Sequence, residues 1–365
     1  MKRLIILALL LAAHSSLSAE QNQPHASAES HGAAAFLQQL DSLRENANIP
    51  GMSVVVVEDR AIVLAAGLGY ADVEEGIPAT AETPYDIASV AKPLSAVVAL
   101  RLVEAGVLDL DRLLVDYSEW EGFCTDFSRQ PSIFAEELRC QPTNHTLRHL
   151  LSHTATGTPG TRFSYNPILY SWASRPIMAV TDTPFSALVE RYVFIPADMR
   201  NSARKHRDLP LREDLVERLA QPYRIESSGA TQRAPARPPQ GDGAAGGVVS
   251  TALDLAKFDI ALDKGVLIST KSRAGMMAPT RATNGEAVPY GLGWYVQEYE
   301  GHTLIWHSGW WEDAYSALYL KIPTLNLTLI VLANSEGVWW NNPLDRAGVE
   351  RSQFAQAFLS AFVDR

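Results

Sequence analysis

Runs of apolar residues divide this chain into two strand-rich ends and a helical middle. The run Met52 to Val57 is apolar and β-branched, a charged triplet interrupts it, and Ala61 to Ala66 resumes it, which predicts a hairpin. Four further strands are predicted in the last third of the chain, where glycine and proline punctuate the apolar runs: Trp294–Tyr299, Thr303–His307, Tyr315–Ile322 and Leu325–Ala333.

Helical spacing of apolar residues predicts three amphipathic helices outside the strands. Their apolar residues recur at steps of three and four over Ala33–Asn48, over the stretch around Leu94–Leu102 that Gly106 ends, and over Arg351–Val363. Residues 108–262 are predicted to be mostly helical or irregular. Within them, 224–247 is rich in Pro, Gly and Ala and predicts a long loop, and Thr251 predicts the N-cap of the next helix.

Strands at both ends and helices between them indicate an α+β fold. The simplest packing is one antiparallel sheet built from both termini, flanked by helices, with a mostly helical second lobe inserted. We therefore expect one catalytic domain over 33–365, with an α/β lobe at about 33–107 and 285–365 and a helical lobe at about 108–284.

The first residues have the pattern of a secretory signal peptide. Lys2 and Arg3 precede an apolar run, Leu4 to Ala13, that is too short to span a bilayer, and small and polar residues follow to Ala19. We predict a signal peptide at 1–19, a flexible leader at 20–32, and export to the periplasm or the medium. The alternative is an uncleaved membrane anchor.

Composition narrows the possible partners. The chain carries 31 Lys and Arg against 41 Asp and Glu, and this net charge of −10 argues against nucleic acid as a main partner. Outside these first residues no apolar run approaches the length of a spanning helix, so no stable span is expected after signal cleavage. Export makes Cys124 and Cys140 a candidate disulfide, with two free buried thiols as the alternative.

Ser89 and Lys92 are the strongest candidates for chemistry. Residues at i and i+3 share a helix face, and Pro93 is tolerated only in the first turn, so a helix should begin at about Ser89. The positive end of the helix favours a developing oxyanion there, and a buried lysine can take the proton of a serine. A serine followed three residues later by lysine at the start of a helix also occurs often by chance, so this pair alone does not establish a catalytic site.

Two further motifs follow in the chain. Tyr165 lies in the segment Phe163-Ser164-Tyr165-Asn166, and a tyrosine beside a lysine can act as a general base or acid. His307-Ser308-Gly309 ends a predicted strand, where small residues let a substrate backbone lie along the edge. Each motif alone is better explained as ordinary structure.

In this order, the three motifs resemble the class C β-lactamase-like serine hydrolases, a family that also contains D-alanyl-D-alanine carboxypeptidases, D-amino-acid peptidases and family VIII-type esterases. The resemblance covers about 33–333. Further matching segments are 69–72 with 83–85, Leu147-Arg148-His149-Leu150-Leu151-Ser152-His153-Thr154, 246–252 with 254–256, and Tyr290-Gly291-Leu292-Gly293-Trp294.

The resemblance implies a role for each motif. Ser89 would be the acylated nucleophile, Lys92 its proton partner and Tyr165 a second general base. His307, Ser308 and Gly309 stand where many members have Lys-Thr-Gly and would contact substrate. The backbone N–H groups of Ser89 and Trp310 would form the oxyanion hole. No metal or organic cofactor is implied.

Two departures from the family pattern bear on the substrate. Many members read Tyr-Ser-Asn or Tyr-Ala-Asn, whereas this chain reads Tyr165-Asn166-Pro167, so only Asn166 could offer an amide to a substrate. His307 replaces a permanent positive charge and attracts a carboxylate less strongly than lysine. Both changes favour ester or amide substrates over β-lactams and carboxypeptidase substrates. Trp306, Trp310 and Trp311 suggest an aromatic-walled cleft.

The sequence leaves alternatives open. His145, His149 and His153 recur every four residues and could hold a metal, but the last two fall within the family signature and are better explained as structural. The function predicted first is an exported serine hydrolase acting through a Ser89 acyl-enzyme on small-molecule or peptide substrates. The alternatives are a catalytically weak penicillin-binding-like protein that binds cell-wall peptides, and an acyltransferase.

Overall fold

An antiparallel sheet of seven strands forms the centre of the computed structural model, which describes residues 28–117, 119–235, 237–339 and 346–363. Its strands are, in chain order, β1 (Gly51–Glu58), β2 (Ala61–Asp72), β3 (Ile77–Pro78), β9 (Tyr295–Tyr299), β10 (His302–Trp311), β11 (Tyr315–Ile322) and β12 (Leu327–Ala333). Across the sheet the order is β3-β2-β1-β12-β11-β10-β9, so the first and last parts of the chain meet where β1 pairs with β12. The predicted α+β fold is confirmed.

The described chain also contains five short strands and eleven α-helices, besides short 3₁₀ and π turns. The strands are β4 (Tyr85–Asp86), β5 (Ala203–Arg204), β6 (Tyr223–Ile225), β7 (Thr231–Arg233) and β8 (Val248–Ser250). The helices are α1 (Ala28–Asn46), α2 (Ala91–Glu104), α3 (Trp120–Ser128), α4 (Leu147–Leu151), α5 (Pro167–Trp172), α6 (Ser174–Thr181), α7 (Phe185–Val189), α8 (Glu213–Val216), α9 (Ala252–Asp263), α10 (Thr270–Met276) and α11 (Gln353–Phe362).

Alternation along the strands gives the central sheet two buried faces. On β1, Val54 and Val56 belong to the core under α1 and α11, whereas Val55 and Val57 belong to the core that α2 and α9 cover. Because both faces are covered, β1 is apolar at every position from Met52 to Val57 and shows no polar alternation.

Three predicted elements differ from those observed. The terminal helix α1 begins at Ala28, inside the predicted leader, because alanine and glutamate favour a helix there. Strand β10 continues to Trp311, past the predicted end at His307, because pairing with β11 outweighs the low strand preference of Ser308 and Gly309. The predicted loop at 224–247 overlaps the hairpin of β6 and β7, which begins one residue earlier at Tyr223. The signal-peptide prediction lies outside the described residues.

A small sheet places the start of α2. Strand β8 lies between β4 and β5, and the N–H of Ile87 donates to the carbonyl of Val248 at 3.1 Å. Residues 245–247, which lead into β8, are thereby held beside the turn at Ala88–Val90 that precedes α2. Two distant parts of the chain thus meet next to Ser89.

Cys124 on α3 is bonded to Cys140, with an S–S distance of 2.06 Å. The bond closes the segment in which the carbonyl of Phe134 accepts a hydrogen bond from the side chain of Asn166. The covalent loop is therefore hydrogen-bonded to the residue that follows Tyr165.

None of the helices in the described part of the chain is both long and apolar enough to cross a membrane.

Candidate active site

Ser89 lies on a single 3₁₀ turn, Ala88–Val90, directly before α2. Ala88 has a φ of 48°, a left-handed conformation that costs a non-glycine residue of the order of 1 kcal/mol. This turn leaves the Ser89 side chain half-buried, beside fully buried neighbours at Ala88 and Val90. Pro93 stands in the first turn of α2, where its missing N–H leaves no helix bond unmade.

Lys92 lies one turn after Ser89 and is completely buried. Its Nζ donates to Ser89 Oγ at 2.7 Å and to the Tyr165 hydroxyl at 2.7 Å, and it is 3.4 Å from the carbonyl oxygen of Ala245. Burial holds the pKa of Lys92 well below its usual range, because the ammonium form loses its hydration. A neutral amine at this position can accept a proton from Ser89.

Tyr165 closes the triangle from the segment before α5. Its hydroxyl donates to Ser89 Oγ at 2.9 Å, and its ring lies 5.0 Å from Lys92 Nζ. Burial raises the pKa of Tyr165, so the phenol keeps its proton near neutral pH. The arrangement combines an amine that can take a proton with a phenol that can give one, and the role of Tyr165 as a second general base stays a prediction.

His307 lies in the interior rather than in the cleft. The carbonyl oxygen of Ser308 can only accept, so its 2.7 Å contact assigns the proton to His307 Nδ1, and Nε2 then accepts from the Tyr290 hydroxyl at 2.9 Å. The side chain is fully buried, and burial holds its pKa well below the usual range. Both ring nitrogens of His307 therefore have partners within the protein, and its contact with substrate stays a prediction.

The backbone N–H of Trp310 faces the open edge of β10. On β9, the N–H of Val296 donates to the Pro289 carbonyl (3.0 Å) instead of to its partner Ile305. Bonded and non-bonded pairs alternate in an antiparallel ladder, so Ile305 directs its backbone groups toward β11. Trp310 follows Ile305 by five positions, and the pairing of β10 with β11 has no bulge between these two residues. The Trp310 N–H therefore points away from β11, toward the side of β10 that faces β9. Since β9 pairs only as far as Trp306, that edge is open.

Gly309 allows β10 to approach the nucleophile turn. A Cβ at this position would lie 2.3 Å from the carbonyl oxygen of Ile87. Any side chain would thus force the strand and the turn apart. Gly309 therefore allows close packing of backbone against backbone, and its contact with substrate stays a prediction.

Ser308 and Asn166, both predicted to contact substrate, are also buried. The Ser308 side chain points away from the cleft because residues alternate along β10, and its hydroxyl is enclosed. Asn166 Oδ1 accepts from the Leu169 N–H at 3.0 Å and Nδ2 donates to Phe134 at 2.6 Å. Asparagine followed by proline is a helix N-cap pattern, and this use as the cap of α5 removes the amide from the cleft.

The three tryptophans of β10 divide between the two faces of the sheet. Trp306 stacks on Tyr295 with 4.1 Å between ring centroids, and Trp310 stacks on Trp339 with 5.1 Å between centroids. The indole N–H of Trp310 also donates to the carboxylate of Glu336. Both side chains lie on the face turned toward α1 and α11. Trp311 lies on the opposite face and is the tryptophan of this group that borders the cleft, as its atoms 3.4 Å from the position of a Gly246 Cβ show.

Asp86 is a buried site residue that sequence reasoning missed. Its Oδ1 accepts from the Ala88 N–H at 3.0 Å and from Trp311 Nε1 at 2.8 Å, while Oδ2 lies 2.9 Å from Lys205 Nζ. A bond from an aspartate side chain to the N–H two residues later is the pattern of an Asx turn. The aspartate three residues before Ser89 was therefore a signal for a constrained turn.

Two cavities lie on the helical side of the site. A groove of about 870 Å³ runs beside α5 and α6, and its lining includes Phe123, Trp172 and Arg175. A pocket of about 70 Å³ shares Ser171, Gly241 and Gly243 with this groove and extends to Gly246 and Trp311. The pocket therefore extends from the large groove toward the loop at Gly246, and the linings of the two cavities do not include Ser89, Lys92 or Tyr165.

The three histidines spaced by four have structural partners. His145 Nε2 contacts the carbonyl of Ala155 at 3.0 Å, and His149 Nδ1 accepts from the Thr146 N–H in a capping box of α4. His153 Nδ1 accepts from the Asn166 N–H at 3.0 Å. In the part of the chain that the structure describes, no three His, Cys, Asp or Glu side chains are grouped to hold a metal ion.

Comparison with known proteins agrees with this geometry. The sequence model of the beta-lactamase family matches residues 34–349. The chain belongs to the beta-lactamase family. This membership places it among the serine hydrolases of the β-lactamase and penicillin-binding-protein superfamily, as the resemblance of its three motifs predicted.

Individual relatives are distant in sequence. Penicillin-binding protein 4* of Bacillus subtilis is 25% identical over 361 residues, covering 85% of this chain and 70% of that protein. The chain is also similar in fold to the D-amino acid amidase of Ochrobactrum anthropi (TM-score 0.72, 19% identity, 91% and 99% coverage). A third similar protein is EstCE1, described as a hydrolase with promiscuous acyltransferase activity (TM-score 0.68, 17% identity, 90% and 98% coverage).

Proposed function

We propose that this protein hydrolyses esters or amides through an acyl-enzyme on Ser89. The observation that carries the proposal is the triangle of Ser89, Lys92 and Tyr165, whose polar atoms lie 2.7 to 2.9 Å apart around a buried lysine. Lys92 takes the proton as Ser89 Oγ attacks the substrate carbonyl. Tyr165 relays a proton to the leaving group, which departs as the carbonyl re-forms.

The tetrahedral intermediate needs donors for its oxyanion. In the proposed mechanism these are the backbone N–H groups of Ser89 and Trp310, and one such donor is typically worth about 3–4 kcal/mol of transition-state stabilisation. The direction of the Trp310 N–H, derived from the ladder of β10, supports this assignment. Lys92 is neutral again once its proton has passed through Tyr165 to the leaving group. Water then attacks the acyl-enzyme and gives a proton to Lys92. As the bond between the acyl group and Ser89 Oγ breaks, Lys92 returns that proton to Ser89 Oγ and the acid is released.

The buried imidazole of His307 favours substrates without an essential carboxylate. Many family members carry lysine at this position, whereas His307 is neutral and faces Tyr290. Asn166, which could have bound a substrate carbonyl, caps α5 instead. Simple esters and amides are therefore preferred in this proposal over β-lactams and D-alanyl peptides. The signal-like N-terminus and the Cys124–Cys140 bond support an exported enzyme.

The first experiment measures p-nitrophenyl butyrate turnover by the wild-type protein and by Ser89→Ala. We expect turnover in the wild type and a loss of at least about a thousand-fold in the variant, because the nucleophile is removed. The mass of the acylated intermediate, trapped by rapid acid quench, should map to the peptide that contains Ser89. A β-lactam and a D-Ala-D-Ala peptide follow as further substrates.

Equal background rates in the wild type and in Ser89→Ala on all these substrates would contradict the proposal. That result would favour a binding protein for cell-wall peptides instead. Transfer of the acyl group to an added alcohol, measured as ester product, separates an acyltransferase from a hydrolase, because the two share the acyl-enzyme and differ in the acceptor.

A further inference from the structure

Asp86 joins three separate chain segments that meet beside Ser89. The carboxylate is 5% exposed and accepts from the backbone of Ala88, from the indole of Trp311 and from the ammonium of Lys205. These groups belong to the nucleophile turn, to the end of β10 and to the segment after β5. A buried charge with three satisfied contacts defines the relative position of all three segments.

Two of these contacts adjoin the proposed oxyanion donors. Ala88 is the residue before Ser89, and Trp311 is the residue after Trp310. The same oxygen, Oδ1, accepts from both at 3.0 and 2.8 Å. One atom of Asp86 thus fixes the neighbour of each donor, and the separation of the Ser89 and Trp310 N–H groups depends on it.

Ala88 shows that this local conformation needs support. Its φ of 48° is disfavoured for alanine, and the bond from its N–H to Asp86 stabilises the turn in that conformation. On the other side, the absence of a side chain at Gly309 lets β10 lie against Ile87. The glycine permits the close approach, and the Asp86 bond to Trp311 holds the strand end there.

Lys205 compensates the charge of Asp86. The Lys205–Asp86 pair has an N–O distance of 2.9 Å, and the Lys205 N–H donates to the carbonyl of Gly247, next to the loop beside Ser89. The ion pair uses Oδ2, whereas both bonds toward the donors use Oδ1. The charge and the hydrogen-bond acceptor can therefore be separated by substitution.

We propose that Asp86 is a positioning residue that sets the geometry of the oxyanion hole. The inference rests on the proposed function, since it assigns Asp86 a part in stabilising the tetrahedral intermediate. It predicts that loss of the acceptor at Oδ1 lowers kcat more than it raises KM, because the donors must fit the transition state rather than the ground state.

The test compares Asp86→Ala with the double variant Asp86→Asn/Lys205→Met in the full chain, using p-nitrophenyl butyrate. Asparagine keeps an oxygen for Ala88 and Trp311, and methionine removes the cation that would then face an amide. We expect Asp86→Ala to lose about 10- to 100-fold in kcat, with KM within about threefold. The double variant should retain at least about a fifth of the wild-type kcat.

A phenylboronic acid provides a second readout, because its tetrahedral adduct with Ser89 places an oxygen in the oxyanion hole. The inhibition constant should rise in Asp86→Ala by a factor similar to the loss of kcat/KM, and should change little in the double variant. A general loss of stability would not separate the boronate affinity from KM in this way.

Equal kcat losses in Asp86→Ala and in the double variant would overturn the inference, because the ion pair would then be the feature that matters. Unchanged kcat in Asp86→Ala would overturn it too. If Asp86→Ala does not fold, Trp311→Phe decides, since it removes one donor to Oδ1: a kcat loss of about threefold or more supports the proposal, and an unchanged kcat refutes it. A wild type without Ser89-dependent turnover would instead refute the proposed function.

Discussion

Burial of the Lys92 amine lowers the stability of the folded protein and leaves the amine able to accept a proton. Its Nζ is buried among Ser89, Tyr165 and Ala245, and burial depresses its pKa. Between the lowered folded pKa and the ordinary value near 10.5, the unfolded chain binds a proton that the folded chain does not. The free energy of unfolding therefore falls as the pH falls through that window, and at neutral pH the folded state carries the penalty.

We expect Lys92→Met to abolish turnover and to raise the melting temperature. The methionine removes the amine that accepts the Ser89 proton, and it fills the same space without the cost of burying an amine. Ser89 and Tyr165 remain hydrogen-bonded to each other at 2.9 Å, so no buried hydroxyl is stranded. Differential scanning calorimetry should show a rise of about 2 °C or more.

The matched control is Lys271→Met, on the exposed surface of α10. An exposed lysine has no burial penalty to remove, so its melting temperature and turnover should match those of the wild type within error. A Lys92→Met variant that melts below the wild type would show that the amine contributes net stability, contrary to the sign derived from its pKa.

Strand β10 is the element on which the site depends most. Its odd positions face the nucleophile side and its even positions face α1 and α11, which separates Trp311 from Trp306 and Trp310. Gly309 stands where the strand passes closest to the nucleophile turn, with Ile87 O 2.3 Å from the position of a Cβ.

Gly309→Ala should therefore cost both activity and stability. The added methyl group must push β10 away from Ile87, and overpacking of this kind typically costs about 1–3 kcal/mol. The displaced strand also carries Trp310, so kcat should fall by at least about tenfold. Chemical denaturation and p-nitrophenyl butyrate kinetics measure the two effects on one preparation.

Gly122→Ala provides the comparison for that change. A Cβ at Gly122, in helix α3, meets no atom within 4 Å, and alanine is the better helix former by about 1 kcal/mol. This variant should be at least as stable and as active as the wild type. Equal behaviour of the two alanine variants would mean that the contact of Gly309 with Ile87 does not constrain the site.

What the sequence reveals about an element depends on whether its pattern is local. The hairpin of β1 and β2, the cap at Thr251 and the final helix follow from periodicity and turn residues, and all three are present. The roles of Asn166 and His307 depend on packing partners, Phe134 and Tyr290, that lie far along the chain. Family position predicted a substrate contact for both, and the actual neighbours determine that both are buried.

At the scale of the molecule, burial of imidazoles makes stability depend on pH. His145, His149, His153 and His307 all have a pKa below the usual range, and burial is the largest cause for each. Below about pH 6.5 the unfolded chain takes up protons that the folded chain refuses. The free energy of unfolding should therefore decrease from pH 6.5 downward, until each folded pKa is passed.

His149 allows this account to be tested at one residue. Burial lowers its pKa to about 4, and its Nδ1 accepts from the Thr146 N–H in the capping box of α4. Glutamine at the same position of a capping box can make that bond and does not titrate. Urea denaturation at pH 8 should show His149→Gln within about 0.5 kcal/mol of the wild type. At pH 4.5 the free energy of unfolding of the variant should exceed that of the wild type by about 1–2 kcal/mol, because one of the four protonation penalties is gone.

Equal losses of stability in the two proteins between pH 8 and 4.5 would contradict this account. They would show that His149 is solvated enough to titrate normally. The acid sensitivity would then have to come from the three deeper imidazoles or from the carboxylates.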